Sequence, residues 1–250
     1  MTANSHKCGS TGCSIDCYCE AVQIDVFGWG DYTIFINSTA SLDRYIYENN
    51  FTIFDLHRNL LSKEIINSCD EPYQFRVDRQ KMNTSFIVVV TSEFRNPQDE
   101  YTIVVNGPNV VVMKHIDIPA IIRWNYTSSL NDTSPLHDHH NCALLAYYYE
   151  AIEINVTQSG YYTLSSITNL DSYGYLYKDY FTSFNPEETS VSYNSDGCQN
   201  GNFKITEYLQ SNTTYILIVT THMMEKFAQG PFSVIIRGHH NITIKRTGMF

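Results

Sequence analysis

Basic residues are scarce in this chain: 16 Lys+Arg stand against 26 Asp+Glu, a formal charge of −10. A nucleic-acid footprint needs a basic patch, so the balance argues against that class of partner. It argues equally against an anionic membrane surface. Long apolar runs are missing as well. Phe86–Val90 is among the longest, far short of the roughly 18–20 residues of a membrane-spanning helix. The opening Met1-Thr-Ala-Asn-Ser-His-Lys-Cys8 has no apolar stretch of a secretory leader. Catalytic signatures are absent too: there is no Gly-x-Ser-x-Gly, His-Glu-x-x-His, phosphate-binding loop or Gly-x-Gly-x-x-Gly. Gly28-Trp-Gly30 is too short for the last of these. No catalytic residue, cofactor-binding residue or metal ligand is assigned, and the expectation is a chain that is not an enzyme and carries no cofactor.

What is abundant is tyrosine, 19 residues in a chain of 250 that is 43% hydrophobic and 14% aromatic. Tyr, Val, Ile and Thr favour pleated, half-buried strands. Period-two alternation begins at Ala21-Val-Gln-Ile-Asp-Val26, the pattern of a half-buried strand. The same stretch returns later. Glu20-Ala-Val-Gln-Ile-Asp-Val-Phe-Gly-Trp-Gly-Asp-Tyr-Thr33 and Glu150-Ala-Ile-Glu-Ile-Asn-Val-Thr-Gln-Ser-Gly-Tyr-Tyr-Thr163 share seven of fourteen residues without a gap, 130 positions apart. A repeat of that length is a whole domain, too long for a solenoid unit.

Further strands are expected at Tyr32–Ile36, Arg44–Tyr47, Gln74–Val77, Ser85–Thr91, Tyr101–Val105 and Val110–Met113. The second copy adds Glu150–Val156, Tyr161–Ser166, Tyr173–Tyr177, Ser190–Tyr193, Asn202–Tyr208, Thr213–Thr221, Phe232–Arg237 and Asn241–Lys245. Residues 48–72 read as loop with one strand and a helical turn at 57–65. Asn83–Ser92 aligns with Asn212–Thr221, Gly107 with Gly238, and Tyr45 and Tyr47 with Tyr175 and Tyr177, and the aromatic strands at Phe75 and Phe203 correspond. Short strands separated by turn residues, with few helix-length periods, predict an all-β protein of two tandem antiparallel β-sandwich, jelly-roll-like domains. The boundaries read as 1–115 for a divergent copy, 116–141 for a linker and 142–250 for the second copy.

Cysteine places the chain in a compartment. Cys13 and Cys142 precede the first strand of each copy, Cys69 and Cys198 precede an aromatic strand, and both pairs are 56 residues apart. One disulfide per domain is the expectation, Cys13–Cys69 and Cys142–Cys198, each contributing about 4 kcal/mol by loop closure; buried thiols in a reducing compartment are the alternative. Cys8, Cys17 and Cys19 have no counterpart in the second copy, and three is an odd number. Eight glycosylation sequons start at Asn37, Asn50, Asn83, Asn125, Asn131, Asn155, Asn212 and Asn241. Together these favour an extracellular or secretory-pathway glycoprotein and outweigh the missing leader, which reads as a segment of a larger secreted protein.

The second copy resembles the bacterial pre-peptidase C-terminal domain, and more closely the tandem versions in large rotifer-like invertebrate proteins. The residues that carry this are Gly160-Tyr-Tyr-Thr-Leu164, Asp171-Ser-Tyr-Gly-Tyr-Leu-Tyr177, Asn194-Ser-Asp-Gly-Cys-Gln-Asn-Gly-Asn-Phe203, Leu209–Thr221 and Gly230-Pro-Phe-Ser-Val234, spread over most of 142–245. The first copy keeps Asp43-Arg-Tyr-Ile-Tyr47 but has Cys69-Asp-Glu-Pro-Tyr-Gln-Phe75 where the glycine-rich turn belongs. The resemblance implies a non-catalytic sandwich used in protease maturation, targeting or matrix binding.

Three groups remain as possible sites. His137-Asp-His-His140 and His239-His240 offer metal-ligand chemistry but read as solvated linker. Tyr173, Tyr175 and Tyr177 share one strand face and read as core or half-buried sheet, with sugar or protein stacking as the alternative. Asp171 and Asp196, with Asp43 the first-copy partner of Asp171, could face a hard cation but read as turn residues. The functional expectation is an extracellular tandem sandwich for binding, adhesion or spacing, its protein, matrix or carbohydrate partner unnamed. The alternatives are an accessory pair from a secreted protease or other hydrolase, and a calcium- or carbohydrate-binding module.

Overall fold

The computed structural model describes residues 6–9, 16–38, 42–55, 57–64, 73–77, 84–92, 100–138, 146–181, 190–198, 201–221 and 228–247. The chain is all-β, every ladder among the described residues is antiparallel, and it divides into two compact units, Met1–Ala120 and Ile121–Phe250.

Unit 1 carries β1 (His6–Gly9), β2 (Asp16–Val26), β3 (Tyr32–Ser38), β4 (Leu42–Glu48), β5 (Leu60–Glu64), β6 (Tyr73–Val77), β7 (Thr84–Ser92), β8 (Tyr101–Asn106) and β9 (Val111–Ile116). One sheet runs β1-β2-β7-β4-β5, with β9 also paired to β2; the other runs β6-β3-β8. Unit 2 carries β10 (Ile122–Leu130), β11 (Leu136–Asp138), β12 (Ala146–Tyr148), β13 (Glu150–Val156), β14 (Gly160–Thr168), β15 (Ser172–Lys178), β16 (Ser190–Asn194), β17 (Lys204–Leu209), β18 (Thr214–Thr221), β19 (Gly230–Gly238) and β20 (Ile242–Arg246). Its sheets run β16-β15-β18-β13-β20 and β10-β19-β14-β17, with β11 and β12 forming a separate ribbon.

The two units repeat one another strand by strand. β9-β2-β7-β4-β5 matches β20-β13-β18-β15-β16, and β6-β3-β8 matches β17-β14-β19. Register agrees as well as order. Ala21 faces Val89 and Tyr45 also faces Val89; Ala151 faces Ile218 and Tyr175 also faces Ile218. Each copy even carries its ladder irregularity at the same place, between Ile46 and Tyr47 and between Leu176 and Tyr177.

Alternation explains the cores. On β3, Tyr32, Ile34 and Ile36 point inward and meet Ile24, Val26, Leu42, Ile46, Phe86, Val88 and Val90. On β13, Ile152, Ile154 and Val156 meet Tyr162, Leu164, Leu176, Phe203, Leu217 and Val234. Gly107 and Gly238 close the equivalent turns for a steric reason. A Cβ on Gly107 would stand 2.0 Å from the Tyr32 ring, and one on Gly238 2.3 Å from the Tyr162 ring, closer than any side chain tolerates.

Several expectations are corrected. Residues 116–141 do not form a linker: β10 runs through them and pairs over nine residues with β19. Ile122, Trp124 and Tyr126 are half-buried while Arg123, Asn125 and Thr127 are exposed, so the polar half of an edge strand gave the stretch its loop-like composition. The first unit accordingly extends to Ala120 and not to 115. In place of a helical turn at 57–65, residues 57–59 turn and β5 follows. The ladders also shift one equivalence. Ile34 faces Phe75 and Leu164 faces Ile205, so Phe75 corresponds to Ile205, and Phe203 corresponds to Tyr73.

That last position separates the copies. In unit 2, Gly174 lies under Phe203, where a Cβ would meet the ring at 2.7 Å. Its counterpart on β4 is Arg44, which is 1% exposed and shares a strand face with core residues Leu42 and Ile46. The first copy has therefore rebuilt this part of its core around a cation.

Candidate functional site

Glu150 opens β13 and is 2% exposed. A buried carboxylate is costly unless donors surround it. Here the opposite sheet supplies them. The hydroxyl of Tyr126 on β10 donates to Oε1, and the hydroxyl of Ser128 donates to Oε2 at 2.7 Å. Arg246 of β20 places Nη2 3.3 Å from the same Oε2, with its own side chain mostly in solvent. Burial and the Glu150 carboxylate push the Tyr126 hydroxyl up to about 12, so at neutral pH it stays a proton donor to the carboxylate. A cleft of about 580 Å³ opens beside this group, lined by Thr133, Pro135, Tyr149, Glu150, Ala151 and Arg246.

Unit 1 repeats the arrangement. Glu20, 130 residues earlier, accepts a 2.7 Å bond from the Tyr101 hydroxyl of β8, again across the two sheets. Burial, then the bond to Glu20, drives the Tyr101 pKa above the ordinary tyrosine value. A cleft of about 540 Å³ lies over Glu20, Val22, Glu100, Tyr101 and Met113. In unit 2 the added strand β10 brings the tyrosine; in unit 1 β8 does. Both oxygens of Glu150 are engaged by donors, which leaves the carboxylate poorly suited to take a proton from a substrate. The chemistry available is a sheet-to-sheet tie, with the solvent-facing guanidinium of Arg246 beside it. Sequence reasoning assigned Glu20 and Glu150 no such role, although both are the first identical residues of the repeat.

The other candidates fall as follows. Tyr173, Tyr175 and Tyr177 are buried with Tyr149, Ala151, Phe181, Ile216 and Ile218, a cluster separate from the inter-sheet core. Tyr173 and Tyr175 stack at 4.5 Å between ring centroids. Their equivalents Tyr45 and Tyr47 are buried too. The glycine-rich turn is held by amides. Asn194 Oδ1 accepts from the Gly197 and Lys204 amides, and Asn202 Oδ1 accepts from Ser166 and from the Thr168 amide. Asp171 packs against Gly201, and exposed Asp196 accepts from Ser195. Asp43 lies half-buried on β4, and the ladders match it to Tyr173 and not to Asp171 as expected. No group of three or more His, Cys, Asp or Glu poised for a metal occurs among the described residues. His137 and Asp138 belong to β11, opposite Tyr147 and Ala146; His139 and His140 lie outside the described residues. His239 and His240 are half-buried in the β19–β20 turn.

Cys19 and Cys198 each take part in a disulfide. Cys13, Cys69 and Cys142, on which the expected pairings rest, lie outside the described residues. Of the sequon asparagines, Asn37, Asn50, Asn125, Asn212 and Asn241 are exposed and Asn131 and Asn155 half-buried. Asn83 lies outside the described residues.

No family model and no curated protein matches the chain. Among solved structures it has a likeness to the infectious bursal disease virus VP2 subviral particle, at 8% identity and a TM-score of 0.18 over 96% of this chain and 78% of that one. A likeness of that size carries no argument.

Proposed function

We propose that the chain is a non-catalytic extracellular tandem β-sandwich that serves binding, adhesion or spacing, of the pre-peptidase C-terminal kind that residues 142–245 resemble. The observation that carries this is the use made of the polar groups. In both clefts the glutamate, half-buried at Glu20 and buried at Glu150, is spent on a tyrosine of the facing sheet, a pattern that serves the sandwich rather than a reaction. The disulfide-bonded state of Cys19 and Cys198 supports an oxidising compartment. No helix among the described residues is long and apolar enough to cross a membrane.

Glycan mapping on protein made through a secretory pathway tests the compartment. Glycans are expected at exposed Asn37, Asn50, Asn125, Asn212 and Asn241. Asn155 should stay bare, because its Nδ2 donates to Glu153 at 2.8 Å and its Oδ1 accepts from Thr214 at 3.2 Å. Protein with all five exposed sites bare would contradict the reading.

A further inference from the structure

The two copies differ in the character of one turn. Between β13 and β14 the second copy places Thr157, Gln158 and Ser159; at the same point between β2 and β3 the first places Phe27, Gly28 and Trp29. Phe27 is 49% exposed and Trp29 58% exposed, and Val110 on the adjoining β8–β9 turn is 71% exposed. The fold does not require apolar residues there, since the second copy connects the equivalent strands through polar ones.

The apolar tip is also pre-shaped. The Phe27 amide donates to the Val110 carbonyl at 3.4 Å. Asn109 Nδ2 donates to the Trp29 carbonyl at 2.8 Å. Gly28 and Gly30 take φ of 137° and 126°, a region open to glycine, and a Cβ on either would run into Asn109 or Pro108 at 2.6 or 2.5 Å. The two turns are thus locked side by side, and little ordering cost remains on binding.

We propose that Phe27, Trp29 and Val110 form a membrane-docking tip that enters the headgroup region of a neutral, zwitterionic bilayer. The proposal rests on the binding role inferred above and names its partner surface. Two features choose lipid over sugar or protein. The tip is a set of projecting rings on turns, not a recess, and the Asn109 amide that could serve a sugar hydroxyl is committed to Trp29. Aromatic rings of this kind favour the membrane interface. The neighbouring charges cancel, because Arg76 and Asp31 pair at 2.7 Å. With a formal charge of −10 on the whole chain, anionic lipid repels it and neutral lipid does not.

The test is flotation of the full chain with phosphatidylcholine vesicles. The protein should float, and the Phe27→Ser/Trp29→Ser variant should bind about tenfold less with an unchanged melting temperature, since both side chains face solvent. Adding phosphatidylserine should weaken binding. Trp29 reports directly: the chain has two tryptophans, and in a Trp124→Phe background the Trp29 emission should shift to the blue and be quenched by brominated lipid. Absence of flotation with an unshifted Trp29 emission overturns the proposal and hands the tip to a protein partner. Flotation that persists in the double variant, or that needs phosphatidylserine, overturns it too. Failure here with cysteines oxidised and glycans present leaves the extracellular scaffold standing; bare sequons and free thiols would remove the scaffold instead.

Discussion

Truncating Phe203 to alanine should cost unit 2 about 3–5 kcal/mol, measured by denaturant unfolding. The ring is fully buried and fills the space that the missing side chain of Gly174 leaves. Around it stand Ile152, Leu164, Leu176, Ile205, Leu217 and Val234, all on strands held by ladders on one or both sides. Such a frame relaxes little, so most of the cavity persists, and the loss falls at the upper end of the range for a large-to-small change. The backbone adds to this rigidity. The Phe203 amide donates to the hydroxyls of Ser166 and Ser172, and its carbonyl accepts from the Ser166 amide. The same truncation at Tyr73 should cost less, because that ring is half-buried. Equal losses at the two positions would contradict the claim that the copies fill this space differently.

Alkaline pH is expected to unfold the protein, with stability falling from about pH 10 upward. Tyr47, Tyr101, Tyr126, Tyr149 and Tyr162 all have hydroxyls raised above the ordinary value of 10.0, and burial is the main cause at each. The sign follows from which state keeps the proton. Above pH 10 the unfolded chain releases tyrosine protons that the fold retains, so the unfolded state binds fewer protons and stability drops as pH rises. Below pH 10 both states keep these protons and the contribution is full. Each retained proton steepens the fall by up to about 1.4 kcal/mol per pH unit. Phenolate absorbance and circular dichroism should change together, late and cooperatively. Tyrosines that ionise smoothly near pH 10 while the β signal persists would show that these rings are accessible, contrary to the buried clusters described.

Much of the architecture was legible in the sequence because a strand buried on one face must alternate. The repeat at Glu20 and Glu150 marked equivalent strands, and the ladders place Tyr45 with Tyr175 and Tyr47 with Tyr177 in matching registers. The tyrosine stripe, read as core or half-buried sheet face, is buried in a cluster of its own. Strand β10 was illegible because its outward half carries Arg123, Asn125 and Thr127, which look like loop. Phe75 and Phe203 marked equivalent strands, but their residue-by-residue match depends on backbone pairing that side-chain identity does not report. The Glu–Tyr ties were hidden because the partners are 81 residues apart in one unit and 24 in the other. Such spacing carries no local signal. Arg44 was concealed in the same way: an arginine within Asp43-Arg-Tyr-Ile-Tyr47 reads as the polar half of an alternation until the strand's facing is known. The tip was visible as a loss of repeat identity, since Phe27-Gly-Trp replaces the Thr157-Gln-Ser of the second copy.

The central claim is that one oxidised sandwich is used twice, and disulfide mapping tests it most directly. Native protein from a secretory host would be alkylated without reduction, digested, and its cross-linked peptides sequenced. The account predicts Cys142 joined to Cys198 and Cys13 joined to Cys69, with Cys19 in a further bridge. Recovery of Cys198 and Cys69 as alkylated free thiols, or of Cys198 bridged to a cysteine other than Cys142, would contradict it.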